Sequence, residues 1–201
     1  MFVVNSMSSL TELLDGHAPK KKWWRFLAKR SAVSIILRET ALGIEALMIK
    51  RAEFEGDPWS GHMAFPGGRQ EDGDLDSLAT ARRETHEEIG FDTRVFSDYI
   101  GRLSDVTART RSGPQAMVVS PYLFQASSIP ELVLDEEEVA EVHWIPLSYI
   151  ADTRNRQMMD WEVKGKPIVL PCYFFNQQRI WGLSLMMLDE LVGVMSRAKG
   201  R

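Results

Sequence analysis

The chain has 201 residues, which suits one domain with a terminal extension and a core that needs no staples. Hydrophobic residues make up 44% and charged residues 26%, so disorder along the whole chain is excluded. A net charge of -4 argues against nucleic acid as a bulk partner, and a single cysteine, Cys172, excludes an internal disulfide and points to a reducing, cytoplasmic setting.

In chain order, residues 1–30 read as an N-terminal extension and residues 31–198 as the domain, which includes a C-terminal helix. Within the extension, Ser9 to Leu14 has the pattern of a short helix. The run Lys20-Lys21-Lys22-Trp23-Trp24-Arg25 is basic and aromatic, a composition found on membrane surfaces and on nucleic acid. Because the run is short and isolated, it is read as a solvated turn whose two tryptophans pack on the domain. Neither a membrane nor a nucleic acid is expected as partner. No stretch of 18 apolar residues and no secretory signal is found.

Residues 32–38 are rich in β-branched residues and read as a strand; residues 44–51 alternate like its partner. A polar loop over 52–61 leads to Phe65-Pro66-Gly67-Gly68, a tight turn where backbone can approach a ligand. A helix is expected from about Asp76 to Ile89, with Gly90 at its C-cap. Strands are expected near 96–103, 116–125 and 139–145, then a short helix after Pro146. The apolar run Val169 to Phe175 reads as a buried strand holding Cys172, and 178–196 as an amphipathic helix. Interleaved strands and helices give an α/β architecture.

The helix ending at Ile89 carries the chemistry. At about 100° per residue, Glu84 and Glu88 stand about 40° apart on its wheel, and Glu84 and Glu87 about 60°. Three like charges on one stripe repel, and near a helix C-terminus they also oppose the dipole. A hard divalent cation resolves that conflict, because it takes carboxylate oxygens and bridges them to phosphate. Arg83, beside the stripe, can hold a carboxylate bidentately.

With Gly68 and Arg83-Glu84-Thr85-His86-Glu87-Glu88-Ile89-Gly90-Phe91 in view, the segment resembles the Nudix box, G-x5-E-x7-R-E-U-x-E-E-x-G-U, where U is aliphatic. Asp74 stands in the place of the first glutamate, eight residues in place of seven separate it from Arg83, and Thr85 replaces an aliphatic residue. The resemblance implies an α/β/α sandwich around a mixed sheet. It implies a pyrophosphohydrolase that cleaves a nucleoside diphosphate linked to a group X by water attack at phosphorus. It also implies Mg²⁺ or Mn²⁺ on Glu84, Glu87, Glu88 and the Gly68 carbonyl, with Arg83 orienting a glutamate. The general base is a helix glutamate or one from the later run Asp135-Glu136-Glu137-Glu138, for which Glu137 stands as the candidate.

The wider context is similar to the coenzyme A pyrophosphatase branch of that family. Gly61-His62-Met63-Ala64-Phe65-Pro66-Gly67-Gly68, Thr80-Ala81-Arg82-Arg83-Glu84 and Arg179-Ile180-Trp181-Gly182-Leu183 carry the likeness. Coenzyme A or acyl-coenzyme A is then the expected small-molecule partner, with Arg51 and Phe65 at the substrate. An arginine that this branch places soon after Arg51-Ala52 is missing, and Arg109 and Arg111 stand in for it. His62 and His86 are expected beside the site or on the surface, and Trp181 in the core or a subunit interface of a homodimer. Two alternatives stay open: a Nudix hydrolase of another nucleotide, such as a nucleoside triphosphate or nucleotide sugar, and a non-catalytic Nudix-fold binding module.

Overall fold

The computed structural model describes residues 4–53, 60–109, 116–163 and 165–197, with Arg109 and Val163 described by backbone alone. Helix α1 (Met7–Asp15) is capped by the Ser6 hydroxyl and followed by a 3-10 turn, Trp23–Leu27. Strands β1 (Lys29–Thr40) and β2 (Gly43–Arg51) form an antiparallel pair. After them come β3 (Met63–Ala64), β4 (Gly67–Arg69), α2 (Ser77–Ile89), α3 (Thr93–Phe96), β5 (Ser97–Arg102), β6 (Val106–Arg109), β7 (Ala116–Ala126) and β8 (Val139–Pro146). The chain ends in α4 (Leu147–Ala151), β9 (Gln157–Val163), β10 (Lys166–Phe175), β11 (Gln178–Trp181) and α5 (Gly182–Met195).

One mixed sheet of eight strands organises the chain. Its path runs β3-β2-β1-β7-β5, with β4 on β1, β6 on β7 and β8 on β2. Among the described strands only β1 and β7 run parallel, from Lys29 opposite Met117 to Leu37 opposite Gln125. The middle of β1, residues 32–37, is apolar but for Ser34 because both its faces are covered. Ile35 and Leu37 join Leu10 of α1 and Leu188 and Leu191 of α5 in one cluster. Their neighbour Ile36 faces the other way, with Ile89 of α2, Phe91 and Val139. The expected sandwich around a mixed sheet is therefore present. Among the described residues no helix is long and apolar enough to cross a membrane.

The C-terminal part departs from its pattern. The apolar residues of 178–196 suggest one helix, but β11 occupies Gln178–Trp181 and the helix starts at Gly182. Asn176 and Gln177 both take positive φ, 47° and 66°, so a two-residue turn of left-handed residues folds β11 back on β10. β9, β10 and β11 make a second, three-stranded sheet. In β10, Cys172 and Tyr173 are buried as expected, whereas Val169 and Phe174 are exposed. In the N-terminal turn, Trp23 is 80% exposed and does not pack on the domain.

Candidate active site

A cavity of about 750 Å³ opens between α2, the β1–β4 edge, β6–β7 and the start of α5. Its α2 wall is built by two caps. The Asp76 carboxylate accepts from the Ala79 amide at 2.8 Å and starts the helix. Gly90 ends it with φ 67° and its amide on the His86 carbonyl. A Cβ at Gly90 would lie 3.1 Å from the Val133 backbone. Glycine there lets the loop over 131–138 close on the helix end, where the Val133 and Asp135 amides donate to the Ile89 and Glu88 carbonyls. That docking, together with the Ala52 amide on the Glu138 carbonyl, brings Glu138 to the cavity wall.

The approach of β4 to β1 depends on glycine in a second place. A Cβ on Gly67, at φ 150°, would lie 2.2 Å from the Ala32 carbonyl oxygen. A Cβ on Gly68 would lie 2.3 Å from a carboxylate oxygen of Glu84, so that carboxylate rests on bare backbone. The Gly68 carbonyl accepts from the Ser31 hydroxyl at 2.6 Å. The Gly67 amide donates to Glu88 at 2.8 Å.

Arg83 ties the acidic groups together. Its Nε and Nη2 donate to the two oxygens of Asp74, each at 3.0 Å. Nη2 also reaches the Arg69 carbonyl and Glu84 at 3.0 Å, and Nη1 reaches Glu87 at 2.7 Å. Asp74, the residue in place of the expected glutamate, thus acts as the anchor of Arg83. The guanidinium, the Glu71 amide and the Thr80 hydroxyl hold its carboxyl at about 2 against the opposing effect of burial. A tight turn fixes Asp74 itself: its amide donates to the Glu71 carbonyl at 3.1 Å, and the Glu71 amide donates to its carboxylate at 3.0 Å.

The three helix glutamates do not all face the cavity. Arg83 draws Glu87 outward, and that side chain is 55% exposed and off the cavity wall. Glu84 and Glu88 line the cavity. Burial pushes Glu88 up to about 8, against the pull of the Gly67 amide, with the Glu84 and Glu138 charges adding to the rise. Glu84 is also raised, first by burial, while Arg83 opposes and Glu87 and Glu138 contribute. Among the described residues no three acidic, histidine or cysteine side chains form a ready-made cation cage. The pressure on Glu84 and Glu88 is instead that of carboxylates crowded in a dry place.

The other expected residues divide. Arg51 and Phe65 line the cavity. Glu137 is exposed and off the wall, where its neighbour Glu138 stands. The backbone of Arg109 ends β6, whereas Arg111 and most of the 52–61 loop lie outside the described residues. His86 is exposed. Trp181, expected in the core or an interface, lines the cavity, in edge contact with His62 at 5.1 Å and with Trp161 at 4.4 Å. Its position follows from β11, the strand hidden within an apparent helix. The wall from α5 and β7 is apolar, with Leu183, Met186, Met187, Met117 and Val119.

Thr85, the other departure from the box, is fully buried. Its hydroxyl lies 2.6 Å from that of Ser34 on β1, and both lie within hydrogen-bond distance of the Ala81 carbonyl, at 2.7 and 3.1 Å.

Comparison with known proteins settles the family. The NUDIX domain pattern matches residues 28–162. The chain belongs to the Nudix family. Among similar proteins, an uncharacterised protein of Schizosaccharomyces pombe is 36% identical over 104 residues, 51% of this chain and 32% of that one. The human mitochondrial coenzyme A diphosphatase NUDT8 is 30% identical over 132 residues, 64% of this chain and 53% of that one. The match thus spans about a third and about half of these two relatives. A MutT/nudix family protein of Enterococcus faecalis shares the fold at a TM-score of 0.52 and 16% identity, over 95% of this chain and 73% of that one.

Proposed function

We propose that this Nudix chain is a divalent-metal-dependent pyrophosphohydrolase whose substrate is coenzyme A or an acyl-coenzyme A. The observation that carries the chemistry is the pair Glu84 and Glu88, both raised by burial and facing one cavity with Glu138. An oxygen-only donor set under that electrostatic load fits Mg²⁺ or Mn²⁺, and the missing Cβ of Gly68 leaves room for the Glu84 carboxylate that would hold it. When bound, the cation neutralises diphosphate oxygens and acidifies the attacking water.

The chain's own groups have separate tasks in this reading. Glu84 and Glu88 hold the cation, with the second lone pair of the Gly68 carbonyl within the same wall. Arg83, itself anchored by Asp74, fixes the direction of Glu84. Glu138 takes the proton of the water, in place of the expected Glu137, because it is the member of the acidic run on the cavity wall. Arg51 faces the same space and offers a cation to the diphosphate. The methionine-rich wall of β7 and α5 suits an unbranched thiol or thioester arm, since methionine packs adaptably. Similarity to a coenzyme A diphosphatase favours the same substrate class.

The test is product analysis by mass spectrometry after incubation with Mg²⁺ and a panel of coenzyme A, acyl-coenzyme A, NADH, ADP-ribose and nucleoside triphosphates. Fastest release of 4′-phosphopantetheine, free or acylated, with adenosine 3′,5′-bisphosphate supports the assignment. Faster cleavage of another compound removes coenzyme A and keeps the reaction class. No cleavage with Mg²⁺ or Mn²⁺ removes both and makes the cavity a binding site.

A further inference from the structure

The basic and aromatic run before β1 takes no part in the cavity. In the 3-10 turn Trp23–Leu27, Trp23 is 80% exposed, Phe26 70% and Leu27 75%. Residues three apart eclipse in such a turn, so Trp23 and Phe26 share a face, with Leu27 next to it. The turn is built in, not frayed. The Lys22 amide donates to Asp105 at 2.9 Å, and the Asp105 amide to the Lys20 carbonyl at 2.9 Å. Arg25 donates to the Ser77 hydroxyl at 3.2 Å and lies 3.7 Å from the Asp105 carboxylate. Asp105 is itself buried and held by Arg102 and the Ser120 hydroxyl. The polar groups of the turn therefore grip the domain, Trp24 is half-buried, and Trp23, Phe26 and Leu27 are held in water.

Charge tells what would cover them. Lys20, Lys21, Lys22, Arg25, Lys29 and Arg30 surround the turn, and no acidic residue lies between 20 and 30, although the chain as a whole carries -4. Lys20, Lys21, Lys29 and Arg30 are exposed. An apolar tip ringed by cations is complementary to an anionic bilayer surface, with apolar groups at the headgroup–acyl boundary and cations at lipid phosphates. A second copy meeting this face with its own would oppose cation to cation. Single-stranded nucleic acid would stack on flat rings, and Leu27 offers none.

We propose that the Trp23–Leu27 turn docks the chain peripherally on an anionic lipid surface, Trp23, Phe26 and Leu27 entering the interface and Lys20, Lys21, Lys29 and Arg30 facing the headgroups. This reverses the expectation of a solvated turn with packed tryptophans and no membrane, and it is independent of the substrate.

The experiment is flotation of the full chain with vesicles of phosphatidylcholine alone and of phosphatidylcholine with an equal part of phosphatidylglycerol, at low and high salt. The expected result is co-flotation with the anionic vesicles alone, released by salt. Replacing Trp23, Phe26 and Leu27 together by serine abolishes it, and Lys20→Gln or Lys29→Gln weakens partitioning about five-fold each. The side chains replaced are exposed, so the melting temperature stays that of the parent. Absence of co-flotation overturns the proposal, as does equal binding to neutral vesicles, unchanged binding of the triple variant, or binding of a single-stranded oligonucleotide in place of vesicles. Concentration-dependent dimerisation lost in the triple variant, without vesicle binding, assigns the face to a second copy and also overturns it.

Discussion

Helices α2 and α5 cover opposite faces of one sheet, and both reach the cavity, yet they are built on different terms. α5 buries Leu185, Met187, Leu188, Leu191, Val192, Val194 and Met195, and its contribution to the cavity is an apolar wall made from the edge of its core face. α2 buries Ser77, Thr80, Thr85 and Glu88 along with Ala81 and Ile89, and it carries like charges at its C-terminal end. The first helix is a source of stability that happens to line a site. The second is kept helical by two good caps and by Arg83, so that carboxylates can stand where a helix optimised for stability would not have them. Removing a group from α2 should therefore act on turnover, and removing one from α5 on folding.

The largest effect is expected at the carboxylates. Glu88→Gln lowers turnover by roughly 100-fold or more, while the metal-free melting temperature stays level or rises, because a carboxyl that burial disfavours is replaced by a neutral amide. Steady-state rates and a thermal melt read the two quantities. Loss of folding in proportion to loss of rate would make α2 an ordinary structural helix and end the contrast. Gly68→Ala acts through position: a Cβ in the Glu84 carboxylate's place displaces that group, and turnover falls about 100-fold at unchanged secondary structure.

The converse change is Leu188→Ala in α5, at a fully buried position. It costs about 2–5 kcal/mol in urea unfolding, with turnover per folded molecule unchanged. The smallest effect is a pH dependence. Asp74 is held near 2 in the folded chain, below an unfolded carboxyl near 4, so its contribution to stability is present above about pH 4 and lost as pH falls through about 2. Asp74→Asn should flatten the acid limb of the stability curve in that window and leave its neutral part lower. An unchanged acid limb would mean that Arg83 is held by Glu84 and Glu87 alone.

The same contrast governs what can be read from the chain. α2 is legible because its signals are local: Asp76 caps one end, Gly90 the other, and the glutamates follow from a helical wheel. The start of α5 is not, because Asn176 and Gln177 make a left-handed turn without glycine, and the apolar residues of β11 continue the helical spacing. That misreading also hides Trp181 from the cavity. The choice between Glu137 and Glu138 is non-local in another way. It depends on the register of β8 against β2, which shifts between Lys50 and Arg51 to set Arg51 opposite Val139, and a slip of one residue turns a side chain to the other face. No pattern within the acidic run contains that information.

Thr85 carries a consequence of a different kind. Its hydroxyl is matched by that of Ser34, 51 residues earlier, and the two share a buried carbonyl between helix and sheet. A change at one is felt at the other. Thr85→Val would leave the serine bonded to the Ala81 carbonyl but beside an apolar group, Ser34→Ala would do the same to the threonine, and the double replacement would give a matched, dry contact. The two positions therefore form a coupled unit, and the double replacement should cost less than the sum of the single ones in urea unfolding. The departure from an aliphatic residue at position 85 is the half of that unit that falls inside the motif.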